Sequence, residues 1–284
     1  MCGTCGCSSP VKEGQKQAHG DHHEHSHEHE HRHGEHNHGH VHETETRRIS
    51  VELDLLARND QFAAANRDQF KAQQLFAVNM VSGPGAGKTT LLEAAIKGLS
   101  THADVYVIEG DQQTSLDADR ITAAGAKAKQ INTGAMCHLD AHMVGHSVSE
   151  LTAASDSASE NAGGWLFVEN VGNLVCPAAF DLGEYKRLAL LSVTEGDDKP
   201  LKYPDMFASS DIVVISKIDL LPYVPFDMEK CRQAIATVSP QARVFEISST
   251  TGEGMDEWLT WMVVARKRYQ AASDPAESAS QSAA

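Results

Sequence analysis

Between an apolar run and a helical one lie Ser82-Gly83-Pro84-Gly85-Ala86-Gly87-Lys88-Thr89-Thr90. Glycines at this density let successive backbone N–H groups wrap a phosphate, and the N-terminus of the following helix favours the same negative charge. Lys88 is spaced to reach β and γ phosphates and the Thr89 hydroxyl to bind Mg2+. The expected nucleotide contacts are therefore Gly83, Gly85, Ala86, Gly87, Lys88, Thr89 and Thr90, with Lys88 and Thr89 also in catalytic roles. Ser82 stands where the pattern GxxxxGK[ST] has its first glycine, which alters the entry to the turn and leaves the phosphate-facing half whole. A purely structural Gly-rich turn is the competing explanation; strand, glycines, Lys-Thr and helix in this order argue against it.

Downstream, the apolar run DIVVIS leads into Lys217-Ile218-Asp219. A carboxylate at the end of a strand in such a sheet can accept hydrogen bonds from N1 and N2 of guanine, whereas adenine offers an acceptor at N1, so Asp219 is expected to select GTP over ATP. The stretch resembles the NKxD base-reading motif with Ser216 in place of Asn. A serine makes fewer of the hydrogen bonds that tie this loop to the phosphate loop, so weaker binding with unchanged guanine preference is expected. Ser248-Ser249-Thr250 looks like a matching loop that contacts the base through its main chain. Glu169-Asn170-Val171-Gly172 resembles a DxxG switch II motif with Glu for Asp, which would make Gly172 N–H the sensor of the γ-phosphate. Asp111, closing DVYVIEGD, is placed as a switch I acid reaching the Mg2+ or its waters; for both acids a solvated strand-end carboxylate is the plainer alternative. No arginine finger is assignable, so slow intrinsic hydrolysis is expected.

Three further groups have the chemistry of metal ligands. Cys2, Cys5 and Cys7 fall within one heptapeptide whose glycines permit a tight wrap around a single ion, with the α-amino group as a fourth donor. Soft thiolates suit Zn2+ and Cu+, while a square-planar nitrogen and sulfur set would suit Ni2+. Of the 16 histidines, 12 lie between His19 and His42, among them His22, His23, His25, His27, His29, His31 and His33. Alternating imidazoles give several weak, interchangeable sites for Ni, Zn or Cu, a storage or buffering role whose capacity falls as pH drops through roughly 6.5. The third group is Cys137-His138, read as opening a helix, and Cys176, four residues beyond Gly172, where movement of the switch would carry the thiol. Buried inert cysteines are the competing explanation of this group. His142 and His146 follow at steps of four and either extend that site or form a polar helix face, and Cys231 reads as a core residue.

These residues need an α/β scaffold, and the sequence supplies one. Strand-like runs cover 75–81, 104–110, 126–132, 165–171, 186–193, 211–216 and 242–248, alternating with helical patterns over about 50–72, 88–99, 115–124, 138–152, 227–238 and 255–270. Alternation of this kind predicts a mostly parallel sheet flanked by helices. Residues 1–48 are nearly free of aliphatic side chains and are expected to form a disordered Cys/His-rich metal-binding tail, 49–270 a P-loop domain, and 271–284 a second disordered tail. The chain has 284 residues with 24 Lys and Arg against 39 Asp and Glu, a net charge of −15 that argues against nucleic-acid binding. No apolar run approaches the roughly 18 residues of a membrane span. The polar first residues lack a secretory h-region, so a cytoplasmic protein with reduced cysteines is expected.

Taken together, MCxxCGC, the His-rich spacer, SGPGAGKTT, IEGDQQT, MCHLDA, ENVGNLVCP, SKIDLLP and SSTTGEGMDEW resemble the HypB family, the nickel-incorporation GTPases of [NiFe]-hydrogenase maturation, over nearly the whole chain. The resemblance implies a P-loop GTPase of the SIMIBI class that forms a GTP-dependent homodimer. It also implies nickel transfer, with a zinc-binding metallochaperone partner, into the hydrogenase large-subunit precursor, with GTP, Mg2+, Ni2+ and Zn2+ bound. By the same resemblance the G-domain metal site falls on Cys137, His138 and Cys176, shared across the dimer, and a high-affinity nickel site on Cys2, Cys5 and Cys7. Two other readings stand beside it. A urease-type nickel GTPase would carry Cys-Pro-His where this chain has Cys176-Pro177-Ala178; a metal-storage protein with a vestigial G domain would keep its metal capacity without GTP turnover.

Overall fold

The structure is a computed structural model that describes residues 39–111, 116–134, 136–153 and 163–273. Cys2, Cys5 and Cys7, the histidines from His22 to His33 and the C-terminal segment from 274 lie outside the described residues, as does the side chain of Asp111.

Seven strands form one sheet: β1 (Leu75–Ser82), β2 (Asp104–Asp111), β3 (Lys127–Asn132), β4 (Gly164–Glu169), β5 (Lys186–Ser192), β6 (Ile212–Ser216) and β7 (Arg243–Ile247). Their order is β3-β2-β4-β1-β5-β6-β7 and every pairing is parallel. Because both faces are covered, the inner strands read as continuous apolar runs rather than alternations: all residues of β1, β4 and β6 are buried. The chain runs one way from β1 to β2 and β3, and the other way from β5 to β7, so the order reverses around β1. A crevice opens there, at the carboxyl ends of the strands. Register brings Ser82, Glu169, Ser192 and Ser216 to that edge.

Four longer helices cover the faces. On one side Leu91, Leu92, Ile96 and Leu99 of α2 (Lys88–Leu99) and Trp258 and Met262 of α8 (Met255–Ser273) pack on Phe76, Val78 and Met80. On the other, Val144 and Val148 of α4 (Ala141–Ala153) and Phe70 of α1 (Gly39–Ala72) pack on Leu75, Ala77 and Leu166. A third cluster joins α7 (Met228–Val238) to β5 and β6, and Cys231 is fully buried in it. The remaining helices are α3 (Leu116–Ala123) and the short α5 (Lys199–Lys202) and α6 (Pro204–Ala208). No helix among the described residues is long and apolar enough to cross a membrane.

The strands lie within two residues of their expected bounds, and the helix expected over 88–99 has those limits. Three differences matter. The helix expected from 50 begins at Gly39. The short helices α5 and α6 carry Pro200 and Pro204 in their first turns, where proline is well suited. Finally, α4 starts at Ala141 rather than 138, because the Asp140 carboxylate accepts from Met143 N at 2.8 Å and caps the helix there. Cys137 and His138 are thus in the turn before α4, not in its first turn, and only His142 and His146 share the helix, ring centroids 4.8 Å apart.

Helix α1 docks through two buried asparagines. Asn66 Nδ2 donates to Ala141 O (2.7 Å) and Leu182 O (2.9 Å), while Asn59 accepts from Ala141 N and donates to Asp181 O. These bonds fix the start of α4 and the segment leading to β5. Replacing Asn66 with alanine leaves buried carbonyls unsatisfied, and urea unfolding should register a loss of about 1–3 kcal/mol; an unchanged midpoint would mean that these bonds do not hold the helix.

Candidate nucleotide cleft and thiol corner

Between β1 and α2 the backbone turns through Gly85 (φ 73°) and Gly87 (φ 102°), a left-handed conformation that glycine alone adopts without penalty. Gly87 precedes α2 with no side chain capping it, so the first N–H groups of the helix stay open toward the turn. The cleft above them, about 450 Å³, is lined by Gly85, Gly87, Lys88, Thr89, Glu169 and Gly172 among others. Gly172 packs so closely that an added Cβ would lie 2.9 Å from Pro84 Cα, and a Cβ on Gly83 would meet Glu195 Oε2 at 2.8 Å and Leu174 Cδ2 at 3.6 Å. The switch II segment therefore rests directly on the phosphate loop.

Four buried groups meet at the floor. Lys88 Nζ donates to Ser82 Oγ at 2.8 Å, and Thr89 Oγ1 donates to Glu169 Oε1 at 2.9 Å. Burial pushes the Lys88 ammonium below the ordinary lysine range and, more than nearby Lys88 offsets it, pushes the Glu169 carboxyl above the ordinary glutamate range. Glu169 Oε2 has no hydrogen-bond partner although buried. An orphaned carboxylate oxygen beside a threonine hydroxyl is the oxygen-donor chemistry that suits Mg2+, so Thr89 and Glu169 fit that ion. Ser82, at the position of the missing glycine, supplies the hydroxyl that holds Lys88.

On the base side, Ser216 Oγ donates to Ala86 O at 2.8 Å, and Lys217, itself left-handed (φ 60°), donates to Gly85 O at 2.7 Å. The single Ser216 hydroxyl thus ties β6 to the phosphate loop, because the two elements lie close enough for a short side chain to span. Ser248 Oγ donates to Asp219 Oδ1 at 2.6 Å and accepts from Thr251 N, which orients the Asp219 carboxylate and leaves Oδ2 outside that bond. Ser249 faces a neighbouring groove with Thr90.

The thiol corner adjoins switch II. Asn170 Oδ1 accepts from Leu139 N (3.1 Å) and Val171 N (3.0 Å). Asn173 Oδ1 accepts from Val175 N and Cys176 N, and its Nδ2 donates to Cys137 O at 3.5 Å. Two asparagines thus tie the Cys137-His138 turn to the 3-10 turn Cys176–Ala179. His138 stacks on Phe180 (centroids 3.8 Å, 23°) with Nδ1 2.9 Å from Leu139 O; the tautomer with Nδ1–H donated there leaves the lone pair of Nε2 open to a ligand. Cys137 is half-buried, Cys176 is buried, and both are in no disulfide. Among the described residues no three His, Cys, Asp or Glu side chains converge to hold one ion within the chain. His142 stacks edge-on against Phe62 and His146.

Lys88, Thr89, Glu169, Gly172 and Lys217 line one cleft, and Asp111 ends β2 on the same edge. Missed by the sequence reading were Asn170 and Asn173, and also Asp117 and Arg120 of α3, which line the cleft with Arg120 paired to Glu93 and Asp117. The one legible signal for the asparagines was their repetition through ENVGN, around a glycine already singled out.

A parallel sheet with a phosphate loop after its central strand and an acidic base loop two strands away defines a P-loop nucleotide-binding protein, and the family described as CobW/HypB/UreG, nucleotide-binding domain, matches residues 77–246. Hydrogenase maturation factor HypB of Azotobacter chroococcum mcd 1 is 54% identical over 216 residues, covering 76% of this chain and 68% of that one. HypB of Escherichia coli K12 is 50% identical over 220 residues, 78% and 73% of the two chains. A crystal structure of HypB from Helicobacter pylori in complex with nickel superposes with a TM-score of 0.69 at 36% identity, covering 74% of this chain and 96% of that one. HypB from Archaeoglobus fulgidus gives 0.67 at 36% identity, covering 74% and 99%. The chain belongs to the HypB family of hydrogenase maturation factors.

The raised carboxyl of Glu169 makes opposite predictions with and without metal. With Glu169 as a ligand of Mg2+, protons would compete with the ion for the carboxylate, and nucleotide affinity measured with Mg2+ would fall about tenfold per pH unit once pH drops below a value higher than the ordinary glutamate pKa. Without metal the folded state holds this proton more tightly than the unfolded chain does: the contribution to folding stability is present below the ordinary glutamate pKa and is lost as pH rises through the raised one. Calorimetry on parent and Glu169→Gln checks both trends; persistence of either in the variant would assign it to another group.

Proposed function

We propose that this protein is a GTP-hydrolysing nickel metallochaperone that binds Ni2+ and delivers it during [NiFe]-hydrogenase maturation. Family membership supports the maturation role, the nickel-bound relative from Helicobacter pylori supports the metal, and the oriented Asp219 carboxylate supports guanine. Lys88 and the open N–H groups of α2 receive the β and γ phosphates; Thr89 and Glu169 hold Mg2+, with Asp111 as a further acid on the same edge. Bound there, Mg2+ neutralises charge on the phosphate oxygens. Gly172, packed on Pro84, offers its N–H to the γ-phosphate.

The observation that carries the metal half is the pair of asparagine bridges. Asn170 lies between the acid that faces the metal and the glycine that faces the phosphate, and it also holds the residue after His138; Asn173 holds both thiol-bearing turns. A switch II that moves on GTP binding moves Cys176 and the Cys137-His138 turn with it. Two chains then complete a ligand set of Cys137, His138 and Cys176 from each, a GTP- and metal-dependent homodimer that takes Ni2+ and also accommodates Zn2+. Upstream, Cys2, Cys5 and Cys7 load nickel, and the histidines His22 to His33 store it. A zinc-binding nickel metallochaperone and the hydrogenase large-subunit precursor are the partners, in the cytoplasm.

Competitive Ni2+ and Zn2+ titration of the full chain, loaded with GDP or a non-hydrolysable GTP analogue, tests this against Cys176→Ala. Coupling between two sites is commonly at least about fivefold, so the parent should show that ratio of nickel affinities between nucleotide states and the variant should not. Equal affinities in both states would confine the metal to the N-terminal tail and favour storage.

A further inference from the structure

Asn79 interrupts the apolar run of β1 and is completely buried. It sits between Ala77 and Val81 on the sheet face where the α4 and α7 clusters meet. A polar side chain in such a place needs partners, and it has them on both sides. Its Oδ1 accepts from Asn170 Nδ2 at 3.4 Å, and its Nδ2 donates to Glu184 Oε1 at 3.1 Å. Glu184 Oε1 also accepts from Arg187 Nε at 2.8 Å, and Glu184 Oε2 from Leu182 N at 2.7 Å. The two charged side chains are 9% and 6% exposed, an ion pair almost cut off from water. Arg187 Nη1 donates to Ala178 O at 2.9 Å and Nη2 to Phe180 O at 2.8 Å. Those carbonyls belong to the turn that Cys176 opens and to the residue whose ring lies on His138.

We propose that Asn79, Glu184 and Arg187 are positioning residues: a buried polar line through the core that sets the Cys176 turn and the His138 ring according to the state of switch II. The inference rests on the reading of the thiol corner as a metal site and adds a second route to it, independent of the covalent continuity from Gly172 to Cys176. The planar guanidinium donates to two carbonyls with fixed spacing, so it dictates the orientation of the turn and not merely its location. Asn79 is wholly buried and the Glu184–Arg187 pair nearly so, so each member is committed to its neighbours and displacement of Asn170 passes along the line rather than being absorbed. Tight apolar packing would hold the turn in place but would not register a change in a hydrogen-bonding partner.

Two substitutions break the line at different points. Asn79→Leu keeps the branched shape of the side chain while removing both bonds, and Arg187→Lys keeps the charge opposite Glu184 while losing the fork, so a fold defect in one leaves the other as the test. The readout is the alkylation rate of the Cys176 thiol in the full chain, resolved by peptide mass spectrometry, with GDP or with a non-hydrolysable GTP analogue and Mg2+. The parent should differ by about fivefold or more between the two states and each variant by about onefold, with nucleotide affinity held within about twofold. A folded variant that keeps the parental ratio overturns the proposal, as does a parent with no ratio. Nucleotide-dependent alkylation in the parent alongside nucleotide-independent nickel affinity would leave the line standing and remove the metal reading.

Discussion

A buried carboxylate that is only half satisfied governs this structure. Glu169 ends a wholly buried strand with one oxygen held by Thr89 and the other left without a partner, next to a lysine that burial also disfavours in its charged form. Neither group is stable in such a place for its own sake; an unpaired buried charge costs several kcal/mol and is tolerated where a ligand completes it. The surrounding devices preserve this tension: the uncapped start of α2, the left-handed glycines, the Ser82 hydroxyl on Lys88 and the Ser216 tie to Ala86 all hold the loop in shape while leaving its centre open.

The second constraint is that asparagine, which donates and accepts at once, recurs wherever the nucleotide cleft meets the thiol corner. Asn170 and Asn173 bridge backbone to backbone, and Asn79 passes the contact into the core. Apolar residues at these positions would pack the same elements together without linking the state of one to the geometry of the other. The two thiol-bearing turns are therefore attached to the least satisfied part of the protein, where ligand binding has the most to change.

Much of the scaffold was legible in the sequence for a physical reason. Parallel strands covered on both faces must be apolar throughout, so LFAVNMV, WLFVENV and DIVVIS announce themselves, and a phosphate loop is a local pattern of glycine and lysine. What local pattern could not give was the outcome of a competition or a distant pairing. The periodicity of His138, His142 and His146 runs straight through the helix start that Asp140 imposes. The partner of Ser216, Ala86 O, lies 130 residues away in the chain and could not be named from the SKID stretch. Asn79 and Glu184 are 105 residues apart, and nothing near either one names the other. Asn66, which fixes the start of α4 from α1, was invisible for the same reason.

Peptide-resolved hydrogen exchange of the full chain in GDP and in a non-hydrolysable GTP analogue with Mg2+ tests most directly whether cleft and thiol corner are one mechanical unit. Protection should change together over residues 83–90, 136–141 and 169–180, because the amides of Leu139 and Cys176 are held by switch II side chains. A change confined to 83–90 and 216–219, with the two thiol-bearing turns exchanging identically in both states, would contradict the account.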